Sequence, residues 1–301
     1  MTDYASGTGS RVAYVPEVTM GTTPGSPSMI ALPATKLDLE IQVEKNHDTA
    51  IYGDRMERFS VDGLKKVQGS ISGSLSATNF NALVKSSMFS DWASDVIKPG
   101  LVASSMTFEQ FLEDITKGWK YQGCIIDKMS YKMPVSGPVT FDASVLGFTG
   151  SGITASLDAA PTAAADEPFF VMVTATLQEG GATIAYVTSI EFEIDNGSSP
   201  LQVLGSQIPI GFVPGAAKVS GTLKAFVPDL ALFNKFIGST STSLSVQCTD
   251  GTKTLTFEFP ATKYTSFKAP QGGSGALEQE LKFETLRDGT AAANFVITRS
   301  A

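Results

Sequence analysis

The chain has 301 residues, enough for one large domain or for two smaller ones that each bury a core. Hydrophobic residues make up 42% and charged residues 17%, with a formal net charge of −8. An acidic balance without clustered Lys and Arg argues against a nucleic-acid clamp, which needs cations to displace counterions. Two cysteines, Cys124 and Cys248, with no CxxC pair argue against a disulfide scaffold or a zinc ribbon and read as small buried apolar residues.

The opening Met1-Thr-Asp-Tyr4-Ala has no basic stretch followed by an apolar one, so no secretory signal is expected and synthesis should be cytoplasmic. The first clear element is Leu37-Asp-Leu39-Glu-Ile41-Gln-Val43, whose period of two marks a half-buried strand. A long loop follows at 44–66, charged through Lys45, Asp48, Asp54, Arg55, Glu57, Arg58 and Asp62. Loops of this length in compact domains are usually functional. The next strand runs Val67-Gln-Gly-Ser-Ile71-Ser-Gly73-Ser-Leu75-Ser-Ala77, with serines on its outer face. Thr78-Asn79 then starts a short helix, Asn79 being a good N-cap.

Met106-Thr-Phe-Glu-Gln-Phe-Leu-Glu has some helical character, but a repeat described below makes 106–113 a strand. Trp119-Lys-Tyr121, Met129-Ser-Tyr131-Lys132-Met-Pro134 and 140–149 complete the first set of strands. The connector 150–166 is rich in small residues and divides the chain into domains at 1–150 and 167–301, with 151–166 as linker. The longest apolar run, 169–173, is far too short to span a bilayer.

The same order then recurs. Ile190-Glu-Phe192-Glu-Ile194-Asp195 matches the strand at Leu37. The long loop 196–214 is now apolar, with Leu201, Val203, Leu204, Ile208, Ile210, Phe212 and Val213. Lys218-Val219-Ser-Gly221-Thr-Leu223-Lys-Ala225 aligns Gly221 with Gly73. Asp229 caps a second helix and Gly238 stops it. Ser243-Leu-Ser-Val-Gln-Cys248-Thr-Asp-Gly251 is a strand entering a hairpin turn, and is the counterpart of 106–113. Leu255-Thr-Phe257 matches Trp119-Lys-Tyr121, and Thr265-Ser-Phe267-Lys268-Ala-Pro270 aligns Phe267 with Tyr131. In the last strand, 276–286, Leu277, Gln279, Leu281 and Phe283 alternate with Glu278, Glu280, Lys282 and Glu284. The first copy has extra residues between helix and strand. The fold class is therefore mainly β: two tandem β-sandwich or barrel domains, each with one short flanking helix.

This order of elements, with the opening run Gly9-Ser-Arg11-Val-Ala-Tyr14-Val-Pro16-Glu17-Val-Thr-Met-Gly21-Thr-Thr-Pro24, resembles the major tail tube proteins of long-tailed, siphovirus-like bacteriophages whose subunit carries two tube domains. The resemblance implies a structural protein of the virion tail that self-associates into stacked rings. It implies homotrimers with pseudo-sixfold symmetry, other tail proteins at the tube ends, and genomic DNA passing through the lumen without specific binding. An acidic lumen would repel phosphate, and Asp38, Glu40, Glu191, Glu193, Asp195, Glu278 and Glu280, on the non-core faces of their strands, are the expected lining. The two long loops are the expected ring-to-ring contacts, through Lys45, Asp54, Arg55 and Arg58 in the first and Leu201, Val203, Leu204, Ile208, Ile210 and Phe212 in the second.

No enzyme, cofactor or metal site is expected. His47 is the single histidine and sits in the charged loop, which leaves no imidazole cluster for a metal and little scope for a Ser-His-Asp triad. The glycine-rich runs Gly147-Phe-Thr-Gly-Ser-Gly152 and Gln271-Gly-Gly-Ser-Gly275 open no helix and read as turns. Phe226, Phe233 and Phe236 read as core beneath the second helix. The alternatives are a tail terminator or decoration subunit, a carbohydrate-binding β-sandwich and, distantly, a hydrolase. A glycan binder would place more aromatics in its loops than Tyr52, Phe59 and Phe212.

Overall fold

The computed structural model describes residues 4–172, 175–270 and 275–300. The first copy runs β1 (Ser10–Pro16), β2 (Ile30–Ala31), β3 (Lys36–His47), β4 (Ser60–Ser74), α1 (Asn81–Met88), β5 (Val96–Ile97), β6 (Met106–Leu112), β7 (Lys117–Pro134), β8 (Thr140–Gly147) and β9 (Thr149–Ile153). The second runs β10 (Thr176–Glu179), β11 (Ala182–Thr183), β12 (Val187–Asp195), β13 (Ser199–Leu201), β14 (Gly211–Val213), β15 (Lys218–Phe226), α2 (Ala231–Ile237), β16 (Thr242–Thr249), β17 (Thr254–Lys268), β18 (Glu278–Thr285) and β19 (Val296–Arg299). Each copy is thus mainly β with one helix, and 106–113 is a strand as its repeat partner required.

Every pairing within the first copy recurs in the second. β1 pairs with β2 and β6, and β10 with β11 and β16. β9 pairs with β7, and β19 with β17. The long strands β7 and β17 each serve two layers. A bulge between Ile126 and Lys128 interrupts β7 within its pairing with β8, and one between Tyr264 and Ser266 interrupts β17 within its pairing with β18.

These bulges and registers fix which residues correspond. Gly221 lies opposite Phe192, where a Cβ would sit 2.5 Å from the Glu191 carbonyl oxygen; Gly69 lies opposite Leu39, where a Cβ would strike the Asp38 carbonyl. Gly69, not Gly73, is therefore the structural counterpart of Gly221. By the same reasoning Met129, not Tyr131, corresponds to Phe267, because each sits opposite Ala143 or Leu281 beyond its bulge.

The two copies join along a central seam. β7 pairs antiparallel with β12 from Ser189 opposite Pro134 to Asp195 opposite Lys128. A continuous sheet results, in the order β3-β4-β8-β7-β12-β15-β18-β17. Beneath the seam Tyr131 stacks on Phe192 at 5.0 Å, and Phe192 meets Phe257, Phe259 and Phe295 at 5.3, 4.9 and 5.7 Å. One hydrophobic core thus runs through both copies. The extra residues of the first copy form a strap: β5 pairs with β19, and Arg299 holds Asp95 at 2.8 Å while lying over the Trp92 ring.

Several local expectations need correction. The N-cap of α2 is Leu230, not Asp229, which accepts the Ala231 amide from one position further out, while Gly238 is the C-cap. Asn79, however, turns its side chain to Ser76 and Ala165, and Glu167 instead takes the Thr78 and Asn79 amides. Thr149–Gly152 lie within β9, not in a turn. Phe233 and Phe236 pack on Phe267, but Phe226 is exposed at the end of β15, opposite Glu278. The connector 150–166 is tied to the first copy: Ser156 and Leu157 donate to the buried Glu109, the Ala31 amide donates to the Thr162 carbonyl, and the Thr162 amide to the Met29 carbonyl. The turn expected at Gln271-Gly-Gly-Ser-Gly275 and residue Val173 of the apolar run fall outside the described residues.

Candidate functional site

The alternation that buries Ile190, Phe192 and Ile194 must turn Glu191, Glu193 and Asp195 to the other side of the sheet. The same holds for Asp38 and Glu40 on β3 and for Glu278 and Glu280 on β18. Cross-strand registers bring all seven carboxylates onto one polar face of the joined sheet. Three depressions open on this face. One of about 580 Å³ is lined by Ser130, Lys132, Glu191, Glu193, Ser220, Thr222, Lys282 and Glu284. The others lie beside Asp142 and beside Glu40.

The face is not acidic, because the registers interleave lysines that the sequence reading did not place there. Lys132 lies opposite Glu191, Lys128 and Lys218 flank Asp195, Lys224 and Lys268 flank Glu280, and Lys263 lies opposite Glu284. Some lysines and carboxylates on this face close into ion pairs, across strands or along one. Lys128 Nζ lies 2.7 Å from Asp195, Lys36 2.7 Å from Asp38, and Lys224 3.9 Å from Glu280. Burial alone would raise the Asp195 pKa, but the Lys128 hydrogen bond and the Gly197 amide outweigh it and hold the carboxyl below its usual range. The same bond raises the Lys128 pKa. Serines and threonines fill the remaining positions, among them Ser70, Ser72, Ser130, Ser144, Ser220 and Thr222.

At one end of this face both long loops emerge. The first is a β-arm, not an open loop, since β3 and β4 stay paired out to His47 opposite Ser60. Its charges are largely used internally. Lys45 pairs with Asp62, Arg58 with Asp54 at 2.9 Å, and His47 with Glu57 at 2.8 Å, while Arg58 lies 4.1 Å from the Tyr52 ring centroid. Arg55 stays exposed. Apolar side chains at the tip also face outward: Ile51 is 97% exposed, and Met56, Phe59 and Val61 are exposed as well.

The second loop carries the β13–β14 hairpin and leans on the base of the arm. The Lys65 amide donates to the Gln207 carbonyl at 2.7 Å, and Phe212 packs on Phe148 at 5.1 Å. Phe212 is thus committed to the fold, whereas Leu201, Val203, Leu204, Ile208 and Ile210 remain exposed. The two loops form one composite projection on which both carry exposed apolar side chains.

Three carboxylates that the sequence reading did not single out are structural. Glu17, in the opening run, accepts from the Gly21 and Gly123 amides and the Ser105 and Thr107 hydroxyls at 2.7–2.9 Å. Both glycines have positive φ, and a Cβ at either would meet the Phe148 ring at 2.6 Å, which explains their place beside Glu17. Glu109 is buried against Arg11, Ser156 and Leu157. Glu167 binds Thr78, Asn79 and Lys253. Burial would raise its pKa, but the hydrogen bonds from Thr78, Ser76 and Asn79 prevail and bring it to about 2. Both cysteines are buried free thiols, and burial pushes the Cys248 pKa to about 12. Among the described residues no group of His, Cys, Asp and Glu could hold a metal, and no helix is long and apolar enough to cross a membrane.

A sequence model of the family described as phage tail tube protein matches residues 7–285. No curated protein matches the chain.

Proposed function

The chain belongs to the phage tail tube protein family, and on that premise we propose how it builds the tube wall. It is a structural protein of the virion tail that self-assembles into a tube. Three chains close each ring. Each chain supplies two tube domains, residues 1–150 and 167–301 joined by 151–166, so that six similar wall segments surround the lumen with pseudo-sixfold symmetry. The polar face of the joined sheet lines that lumen, and the helices lie outside. The arm and the β13–β14 loop reach the next ring, other tail proteins cap the tube ends, and synthesis takes place in the host cytoplasm before assembly into a siphovirus-type tail.

Genomic DNA passes such a wall without adhering because its lysines are matched by carboxylates. Lys128 is held by Asp195 and Lys36 by Asp38, while Lys132 and Lys263 lie opposite Glu191 and Glu284, so phosphate meets a mixed field and not a basic one. A mixed wall does this with less self-repulsion than a purely acidic one.

The single observation that carries the reading is the β7–β12 seam, which makes two repeats one sheet with a polar face and a buried face. Electron cryo-microscopy of the purified, assembled protein tests it. Hollow tubes with three chains per ring and Glu191, Glu193 and Asp195 facing the lumen are expected. Six chains per ring, or these side chains on the outer wall, would overturn it.

A further inference from the structure

The seam inside the chain is a template for the seam between chains. β12 has two neighbours, β7 and β15, whereas its counterpart β3 has only β4 among the described residues. Residues 128–132 of β7 lie between β8 and β12, whereas among the described residues 263–268 of β17 pair only with β18. One sheet therefore ends in two unpaired edges that match the two strands already joined at its centre. Unpaired edges invite strand addition, and a repeat that joins head to tail once can do so again.

Burial points to the same edges. Ile194 on β12 is 1% exposed, but its counterpart Ile41 on β3 is 37% exposed. Met129 on β7 is fully buried, but its counterpart Phe267 on β17 is only half-buried. Apolar side chains on the core face are wet where the neighbouring strand is missing. The edges also differ in charge: β3 carries Asp38 and Glu40, and β17 ends at Lys268. Pairing β3 with another β3 would set carboxylates against one another, which antiparallel neighbours disfavour.

We propose that β3 of one chain pairs antiparallel with residues 266–268 of β17 in a second copy, Gln42, Ile41 and Glu40 taking the register that Asp195, Ile194 and Glu193 have on Lys128, Met129 and Ser130. This inference rests on the tube reading above. Ile194 opposite Met129 becomes Ile41 opposite Phe267, and Glu193 opposite Ser130 becomes Glu40 opposite Lys268. Ile41 then covers Phe267 on the core side, and Glu40 meets Lys268 on the lumen side. A slip of one residue would reverse every face. A slip of two would keep the faces and set Asp38 opposite Lys268 instead, so register is the discriminating quantity.

Cysteine cross-linking of assembled tubes tests the register. Residues directly opposite in an antiparallel pair have Cα atoms about 4.5–5.5 Å apart, within disulfide reach, whereas diagonal neighbours lie about 7–8 Å apart and outside it. The native Cys124 and Cys248 are buried and do not compete. Tubes of the Glu40→Cys/Lys268→Cys variant, first confirmed by negative stain, should oxidise to covalent dimers and closed trimers on a non-reducing gel, with nothing larger. Each single variant should stay monomeric on the gel, and Asp38→Cys/Lys268→Cys should link at least tenfold less. Efficient linking of the 38/268 pair would overturn the register while leaving edge pairing intact. Tubes in which neither pair links would overturn the seam itself. Failure of the unmodified protein to form tubes would instead overturn the tube reading, and the inference with it.

Discussion

Ile194 and Ile41 are the same position in two copies, one at a formed seam and one at an open edge, so their truncation should separate folding from assembly. Ile194 is 1% exposed and sits beside Met129 in the shared core. Ile194→Ala removes three carbons from a site that cannot drain, and a loss of about 2–5 kcal/mol from monomer stability is expected. Ile41 is 37% exposed, and its truncation leaves no sealed cavity. Ile41→Ala should therefore cost the monomer about 1 kcal/mol or less. The order reverses on assembly, because Ile41 is covered only when chains meet. If that contact contributes about 1.4 kcal/mol, the critical concentration for tube formation should rise roughly tenfold in Ile41→Ala. Urea unfolding of dissociated protein gives the first quantity, and sedimentation of tubes from monomer gives the second. Equal loss of monomer stability in both variants, or an unchanged critical concentration in Ile41→Ala, would refute the reasoning.

The arm, the lumen face and the buried carboxylates each carry a further expectation. Ile51→Asp with Met56→Asp should leave monomer melting unchanged, because both side chains already face solvent, but should leave rings or short stubs where the unmodified protein forms long tubes under the microscope. Asp195→Asn with Glu280→Gln strips the partners from Lys128 and Lys224, so tubes of this variant should retain DNA at low salt and release it as salt rises; DNA passing a filter as freely as with unmodified tubes would count against the paired-wall account. Glu167 has a folded-state pKa of about 2 against an ordinary value of 4.5, so its contribution is full above pH 4.5 and is lost as pH falls through about 2. Glu167→Gln should destabilise the protein at pH 7 and flatten the pH dependence of its urea midpoint between those limits.

Much of this was legible in the residues themselves. Period-two alternation located the strands and assigned each side chain to a face, because neighbouring residues on a strand must point opposite ways. The recurrence of that pattern disclosed the duplication and made a strand of 106–113, where propensity pointed to a helix. Register was not legible, for the same reason. A pattern of period two matches itself after any even shift, so aligning Gly221 with Gly73 looked as good as aligning it with Gly69, and Phe267 with Tyr131 as good as with Met129. Even errors preserve faces, which is why all seven carboxylates do share one side. They do not preserve neighbours, and so the lysines opposite Glu191, Asp195 and Glu280 appeared only once strand pairing was known. The partners of Glu17, Glu109 and Glu167, and the strap from β5 to β19, likewise join residues far apart in the chain. Local pattern determined the strands and their faces; which charge meets which, and where the sheet is left open, depended on contacts between distant segments that no local pattern encodes.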